Sequence, residues 1–139
     1  MSTVIVTHKD CLLHDTGINH PESKDRLLSI FKILKNFRSP KIQWIEGPNI
    51  NLKHINLVHS EDYVKNIIKN LPKKDFFNID ADTILSPNSL KSALRAVGSV
   101  CKAVDLVCTQ KFNNAFCPVR PPGHHAEPNR AMGFCLFNN

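Results

Sequence analysis

The stretch Asn114-Ala-Phe-Cys-Pro-Val-Arg-Pro-Pro-Gly-His-His-Ala126 decides how this chain is read. Its first half, Asn114 to Val119, reads as a buried strand. The second half cannot extend that strand, because paired prolines fix φ and Gly123 permits a tight or left-handed backbone. Adjacent side chains point apart on a regular strand or helix, but on a stiff irregular turn the imidazoles of His124 and His125 can converge on one point. Histidine moves protons near neutral pH, and amide hydrolysis needs two transfers, one from the attacking water and one to the leaving amine. The plainer alternative for an isolated Gly-His-His is a surface loop whose histidines only bond the backbone.

Outward from that stretch, strands and helices alternate. Val4-Ile5-Val6 is a β-branched run that predicts a buried strand, followed by a polar loop through His8, His14 and His20. From Ser23 to Phe37 the period changes: Leu27, Ile30, Phe31, Leu34 and Phe37 keep helical spacing, with Pro21 near the start and Pro40 at the exit. Ile42 to Ile45 predicts a second strand, turned at Gly47-Pro48. Ser60 is placed to cap a second helix, with Glu61 and Asp62 at the positive end of its dipole and Val64, Ile67, Ile68 and Leu71 as its apolar stripe. Pro72 ends it. After a polar segment over 73–88, Leu90, Ala93, Leu94, Val97, Val100, Cys101 and Val104 predict about four turns of helix. The alternation predicts an α/β domain with a mostly parallel sheet, in which Val4 to Val6 and Ala115 to Val119 are neighbouring central strands. Gly133 to Phe137 reads as a last strand-like run.

A chain of 139 residues has room for one domain, 1–139, around one core. The net charge of +6 comes from basic residues scattered between Lys9 and Arg130, with no interleaved aromatic platform, so it reads as a solvated surface rather than a nucleic-acid face. No apolar stretch approaches a membrane span, and the N-terminus lacks the pattern of an export signal. Five cysteines without a C-x-x-C pair suggest reduced thiols in a cytoplasm. His54 and His59 lack the spacing of a zinc-binding H-E-x-x-H helix and read as structural. Asp80 and Asp82 read as solvated loop or helix-start acids before they read as a divalent-metal pair. Serine-hydrolase, dinucleotide and P-loop signatures are absent.

Several ordered blocks together carry more than any one motif. They are His20-Pro21-Glu22 with Arg26, Val58-His59-Ser60 with Tyr63, Asp80 and Asp82-Thr83 leading to Ser89, Ala93, Ala96 and Gly98, then Arg120 to Ala126, and Ala131 to Asn139. In these the chain resembles the histone deacetylase superfamily, which includes acetylpolyamine amidohydrolases and acetoin-utilization deacetylases. The resemblance implies the N-terminal part of an arginase-like three-layer α/β/α fold with a mostly parallel sheet. His125 matches the residue usually given the role of general base. His124 matches its partner, which positions and polarises the water and the substrate carbonyl. Phe134, with Gly133 and Cys135 beside it, matches one aromatic wall of the tunnel that receives the acyl chain. Asp82 matches the tunnel-rim loop, and Arg26 an arginine near the inner end of the site. Lys24 departs from many relatives, which carry a proline there.

The family's zinc ligands, and the group that stabilises its oxyanion, match positions beyond Asn139. The expectation is therefore a truncated zinc-dependent deacetylase: zinc serves the full-length family, and this chain alone supplies no metal ligand, holds no zinc and is inactive. Completed by a C-terminal complementary fragment, it acts on an acetyl-lysine or an acetylated polyamine or amine. The alternative is a non-catalytic relic or a partner-binding module.

Overall fold

Val4, Ile5 and Val6 offer apolar side chains to both faces of a strand, and β1 (Thr3–Thr7) accordingly lies at the centre of a parallel sheet. The computed structural model describes residues 1–139. The strand order is β2-β1-β5, with β2 spanning Ile42–Glu46 and β5 spanning Asn114–Phe116. Both neighbours run parallel to β1, with Ile5 level with Trp44 on one side and with Phe116 on the other. Between β1 and β2 the chain forms a 3-10 turn, Lys9–Leu12, and α1, Lys24–Asn36. Two helices follow β2: α2, Leu52–Ile55, and α3, Glu61–Lys69, the latter capped by Ser60 Oγ, which accepts from Tyr63 N–H at 3.3 Å.

The longest helix, α4, runs from Ser89 to Cys108 and joins the two parts of the core. Near its start Ala93 and Val97 pack with Val64, Ile67, Leu136 and Phe137; near its end Ala103 and Leu106 pack on Val4 and Val6. Alternation along β1 sends Ile5 to the other face, level with Trp44 and Phe116, where α1 lies but buries only Leu27. The sheet therefore has helices on both faces and a thinner cover on the α1 side. No helix is long and apolar enough to cross a membrane.

Asp10 ties the 3-10 turn to α4. Its carboxylate meets Arg95 Nε at 3.2 Å and Lys91 Nζ at 3.3 Å, and its carbonyl accepts from Ser92 Oγ at 2.6 Å. Burial raises this carboxyl, but Lys91, His8 and Arg95 more than offset that and hold it below its ordinary range.

The sequence expectations need correction in three places. The strand after α4 ends at Phe116 and is exposed at all three positions, because in this chain β5 is a sheet edge and Pro118 has no N–H with which to extend a ladder. The polar segment after Pro72 contains an antiparallel hairpin, β3 (Phe77–Asp80) with β4 (Thr83–Leu85). Residues 133–137 are not a strand: Gly133 and Phe134 both take left-handed φ, +58° and +67°, and the apolar side chains of Cys135, Leu136 and Phe137 are buried from a turn.

A close crossing sets the spacing of α4 against the loop after β2. A Cβ built on Gly98 would stand 2.1 Å from the carbonyl oxygen of Pro48, so only glycine fits. Replacing Gly98 with alanine should lower the unfolding free energy by about 1–3 kcal/mol in chemical denaturation. An unchanged transition midpoint would show that the crossing can relax at no cost.

Candidate active site

Arg120 follows β5 and is 4% exposed, so its charge needs a partner inside the protein. The partner is Glu22, 1% exposed, just before α1. Arg120 Nε donates to Glu22 Oε1 at 2.5 Å and Nη2 to Oε2 at 2.8 Å, a two-pronged pairing, while Nη1 donates to the carbonyls of His14 at 2.9 Å and Cys11 at 3.4 Å. His14 closes the group from the other side. Its Nδ1 lies 2.7 Å from Ser89 Oγ and its Nε2 lies 3.7 Å from Glu22 Oε2. Burial pushes the His14 pKa down to about 4, with Arg120 adding to the effect and Glu22 opposing it, so the ring is neutral at pH 7.

From this anchor the chain turns through Pro121, Pro122 and Gly123. A Cβ on Gly123 would stand 2.2 Å from the Phe137 carbonyl, so glycine is what lets the turn lie against residues 137–139. The turn closes with Ala126 N–H donating to Gly123 O at 3.0 Å. His124 and His125 emerge from it exposed, their ring centroids 4.2 Å apart.

A second turn supports His125 from below. Its N–H donates to Cys135 Sγ at 3.4 Å, and a Cβ on Gly133 would come within 2.8 Å of the imidazole. Burial raises the Cys135 thiol pKa, and its Sγ donates to the Gly133 carbonyl at 3.2 Å. The left-handed pair Gly133-Phe134 is braced from the β3–β4 hairpin. Asp82 Oδ1 accepts from Gly133 N–H at 3.1 Å, and Thr83 Oγ1 accepts from Phe134 N–H at 3.1 Å while donating to Asp82 Oδ1 at 2.9 Å. Phe134 then sets its ring edge-on to His20 at 4.9 Å.

Below that lies an apolar clasp. Tyr63 donates its hydroxyl proton to Leu136 O at 2.5 Å, and burial raises its pKa above the ordinary value. His59 Nε2 accepts from Asn138 N–H at 2.9 Å, which places the ring proton on Nδ1, a buried atom with no partner.

The structure thus brings together His124, His125, Gly133, Phe134, Cys135 and Asp82. Arg26 is apart from them on α1, lining a separate recess with Glu22, Ile30 and Phe116. Sequence reasoning missed the supporting roles of Thr83, His14 and Ser89. Thr83 and Ser89 carried a faint signal as members of the block that runs on from Asp82, without any indication of what they hold; His14 carried none. No three His, Cys, Asp or Glu side chains converge as a metal site needs, so the residues of this chain do not by themselves fit a catalytic zinc. What the site offers is two neighbouring imidazoles open to solvent on a firmly held loop.

A family model described as the histone deacetylase domain matches residues 20–139. The chain belongs to the histone deacetylase family. Among its relatives, a probable deacetylase of Archaeoglobus fulgidus is 35% identical over all of this chain and 39% of its own length. The type-2 histone deacetylase 2 of Dictyostelium discoideum is 32% identical over 99% of this chain and 10% of its own length. The crystal structure of the HDA15 HD domain superposes with a TM-score of 0.87 and 30% identity, over 99% of this chain and 41% of that one. The chain therefore spans less than half the length of each of these proteins, and its mostly parallel sheet with flanking helices is the fold it shares with the HDA15 HD domain.

Two outcomes follow from the buried group. Glu22→Gln should cost this deacetylase-family chain about 3–5 kcal/mol of stability, because it strands the Arg120 charge; a denaturation midpoint close to wild type would contradict that. His14 has a folded pKa depressed from 6.5 to about 4, so its contribution to stability is complete above pH 6.5 and is lost as pH falls toward 4. Denaturation at stepped pH should show this loss, and His14→Gln should flatten the slope in that window.

Proposed function

We propose that this chain supplies the proton-transfer half of an amide-hydrolysing deacetylase site. The observation that carries the reading is the pair of exposed imidazoles 4.2 Å apart, with His125 seated against Gly133. In this reading His125 takes a proton from the water that attacks the acetyl carbonyl, and His124 orients the water and carbonyl. The proton then passes to the nitrogen that leaves as a free amine. Phe134 forms one wall for the acyl-bearing chain, and Asp82 holds that wall while its second oxygen stays available at the rim. The substrate class is an acetylated lysine or another acetylated amine, because a narrow aromatic wall suits a linear alkyl chain. Arg26 lies apart from the two imidazoles, in a recess that reaches the base of their loop at Arg120 and Pro122, and its role at the inner end of the site rests on that connection.

The frame is of the arginase-like kind. Zinc dependence belongs to the completed protein, whose metal donors come from a complementary segment outside these residues. The open edge of β5 and the exposed Phe116 offer such a segment a strand to pair with. That same edge favours the second reading, a module whose role is to bind a partner there. Five cysteines without disulfides are consistent with a cytoplasmic setting.

The test is acetate release and metal analysis on the 139-residue chain alone and with a complementary segment from a relative. Alone, the chain should release no acetate and retain no stoichiometric zinc. In the completed protein, His125→Ala should lower turnover by roughly a hundredfold or more while leaving zinc content unchanged, the scale of losing a general base. Zinc-dependent turnover by the chain alone would contradict the incomplete site, and full turnover of the completed His125→Ala protein would contradict the assigned base.

A further inference from the structure

We propose that this protein carries a second ligand site, separate from the histidine loop, for a small carboxylate with an apolar body. The site is a cleft of about 460 Å³ between α1, the 3-10 turn and the ends of β1 and β2. Thr7 and Glu46, the last residues of the paired parallel strands β1 and β2, both line it. None of the residues from Arg120 to Phe137 lines it.

Its walls are apolar and wet. Leu28 and Trp44 are 44% and 42% exposed, and they adjoin Phe31, Leu12 and Ile45 in one surface. Phe31 and Trp44 meet at 61° with ring centroids 6.3 Å apart, leaving an aromatic corner rather than a closed stack. A contiguous apolar surface inside a concavity of this size, rimmed by polar groups, is the usual form of a small-molecule site.

The rim selects the charge. Lys9 comes from the 3-10 turn and Lys35 from α1, so two ammonium groups from separate elements flank the cleft, against one carboxylate, Glu46. His8 Nδ1 is occupied by Asp10, lying 3.1 Å from its backbone nitrogen and 3.2 Å from its carboxylate. A cation would find only Glu46, and a neutral body would leave two lysines unused. A monocarboxylate with a phenyl-sized body matches the apolar corner in its body and the excess of positive rim charge in its head group.

Trp44 is the single tryptophan of the chain, so its emission reports directly on this cleft. The probe is 3-phenylpropionate, with 3-phenylpropan-1-ol as the match that lacks the charge. The acid should produce a saturable change in emission with a Kd on the order of 0.1–1 mM, the range expected for a ligand of its size. The alcohol should bind at least about fivefold more weakly, and Lys35→Met should weaken the acid by a similar factor, as expected when a partly exposed ion pair is removed. Lys65→Met, which removes an exposed lysine paired with Glu61 on α3, should leave the titration unchanged. Absence of a saturable change up to about 10 mM, far above that affinity range, would overturn the proposal. So would equal affinity for acid and alcohol, or wild-type affinity in Lys35→Met.

Discussion

A guanidinium sealed inside a small domain dictates where much of this chain must go. Arg120 and Glu22 are each almost wholly buried, and removing either charge from water costs several kcal/mol before any attraction is counted. The cost is offset only when the planar fork of Arg120 meets both carboxylate oxygens and its remaining N–H groups find the His14 and Cys11 carbonyls. That geometry joins three segments: the exit of β5, the entrance of α1 and the loop after β1. A one-residue slip of β5 along β1 would strand the charge. The pair therefore fixes register, a service an apolar contact of equal volume would perform less strictly.

The histidine loop inherits its position from this anchor through a chain of short contacts. Gly123 lets the turn lie on the Phe137 carbonyl, Gly133 leaves space for the His125 ring, and Asp82 and Thr83 hold Gly133 and Phe134 by their backbone N–H groups. Each contact is modest, but together they place two imidazoles at a surface without fixing their protons in buried bonds. Rigidity sits in the backbone and the core; chemistry is left to the exposed rings. This division suits a general base, which must hold its place while exchanging protons with water.

The sequence was most legible where periodicity and burial agree. β1 announced itself through three β-branched residues with apolar side chains for both faces, and α4 through a stripe that meets two parts of the core. β5 misled because its apolar look comes from residues 115–119, whereas its ladder stops before Pro118 and its outer edge is open. The β3–β4 hairpin was hidden by Asp80 and Asp82 and by strands of only four and three residues. Residues 133–137 looked like a strand because buried turns and buried strands are equally apolar, and only the left-handed Gly133-Phe134 pair separates them. At the site, the stiffness of Arg120 to Ala126 was readable, but the link from Arg120 back to Glu22 spans 98 positions and has no spacing rule. The supports from His14, Ser89 and Thr83 are single side chains whose value exists only in three dimensions.

The central claim is that the histidine loop is built into the folded core rather than laid over it. Native-state hydrogen exchange of the His125, Ala126, Gly133, Phe134 and Cys135 amides tests it most directly, with the Val6 amide as the reference for the sheet. Each of these five N–H groups has a partner within the protein. They should exchange with protection approaching that of Val6, and in a Glu22→Gln variant held under conditions where the sheet survives they should lose protection together. Rapid exchange of these amides in the wild-type chain, while Val6 stays protected, would contradict the account.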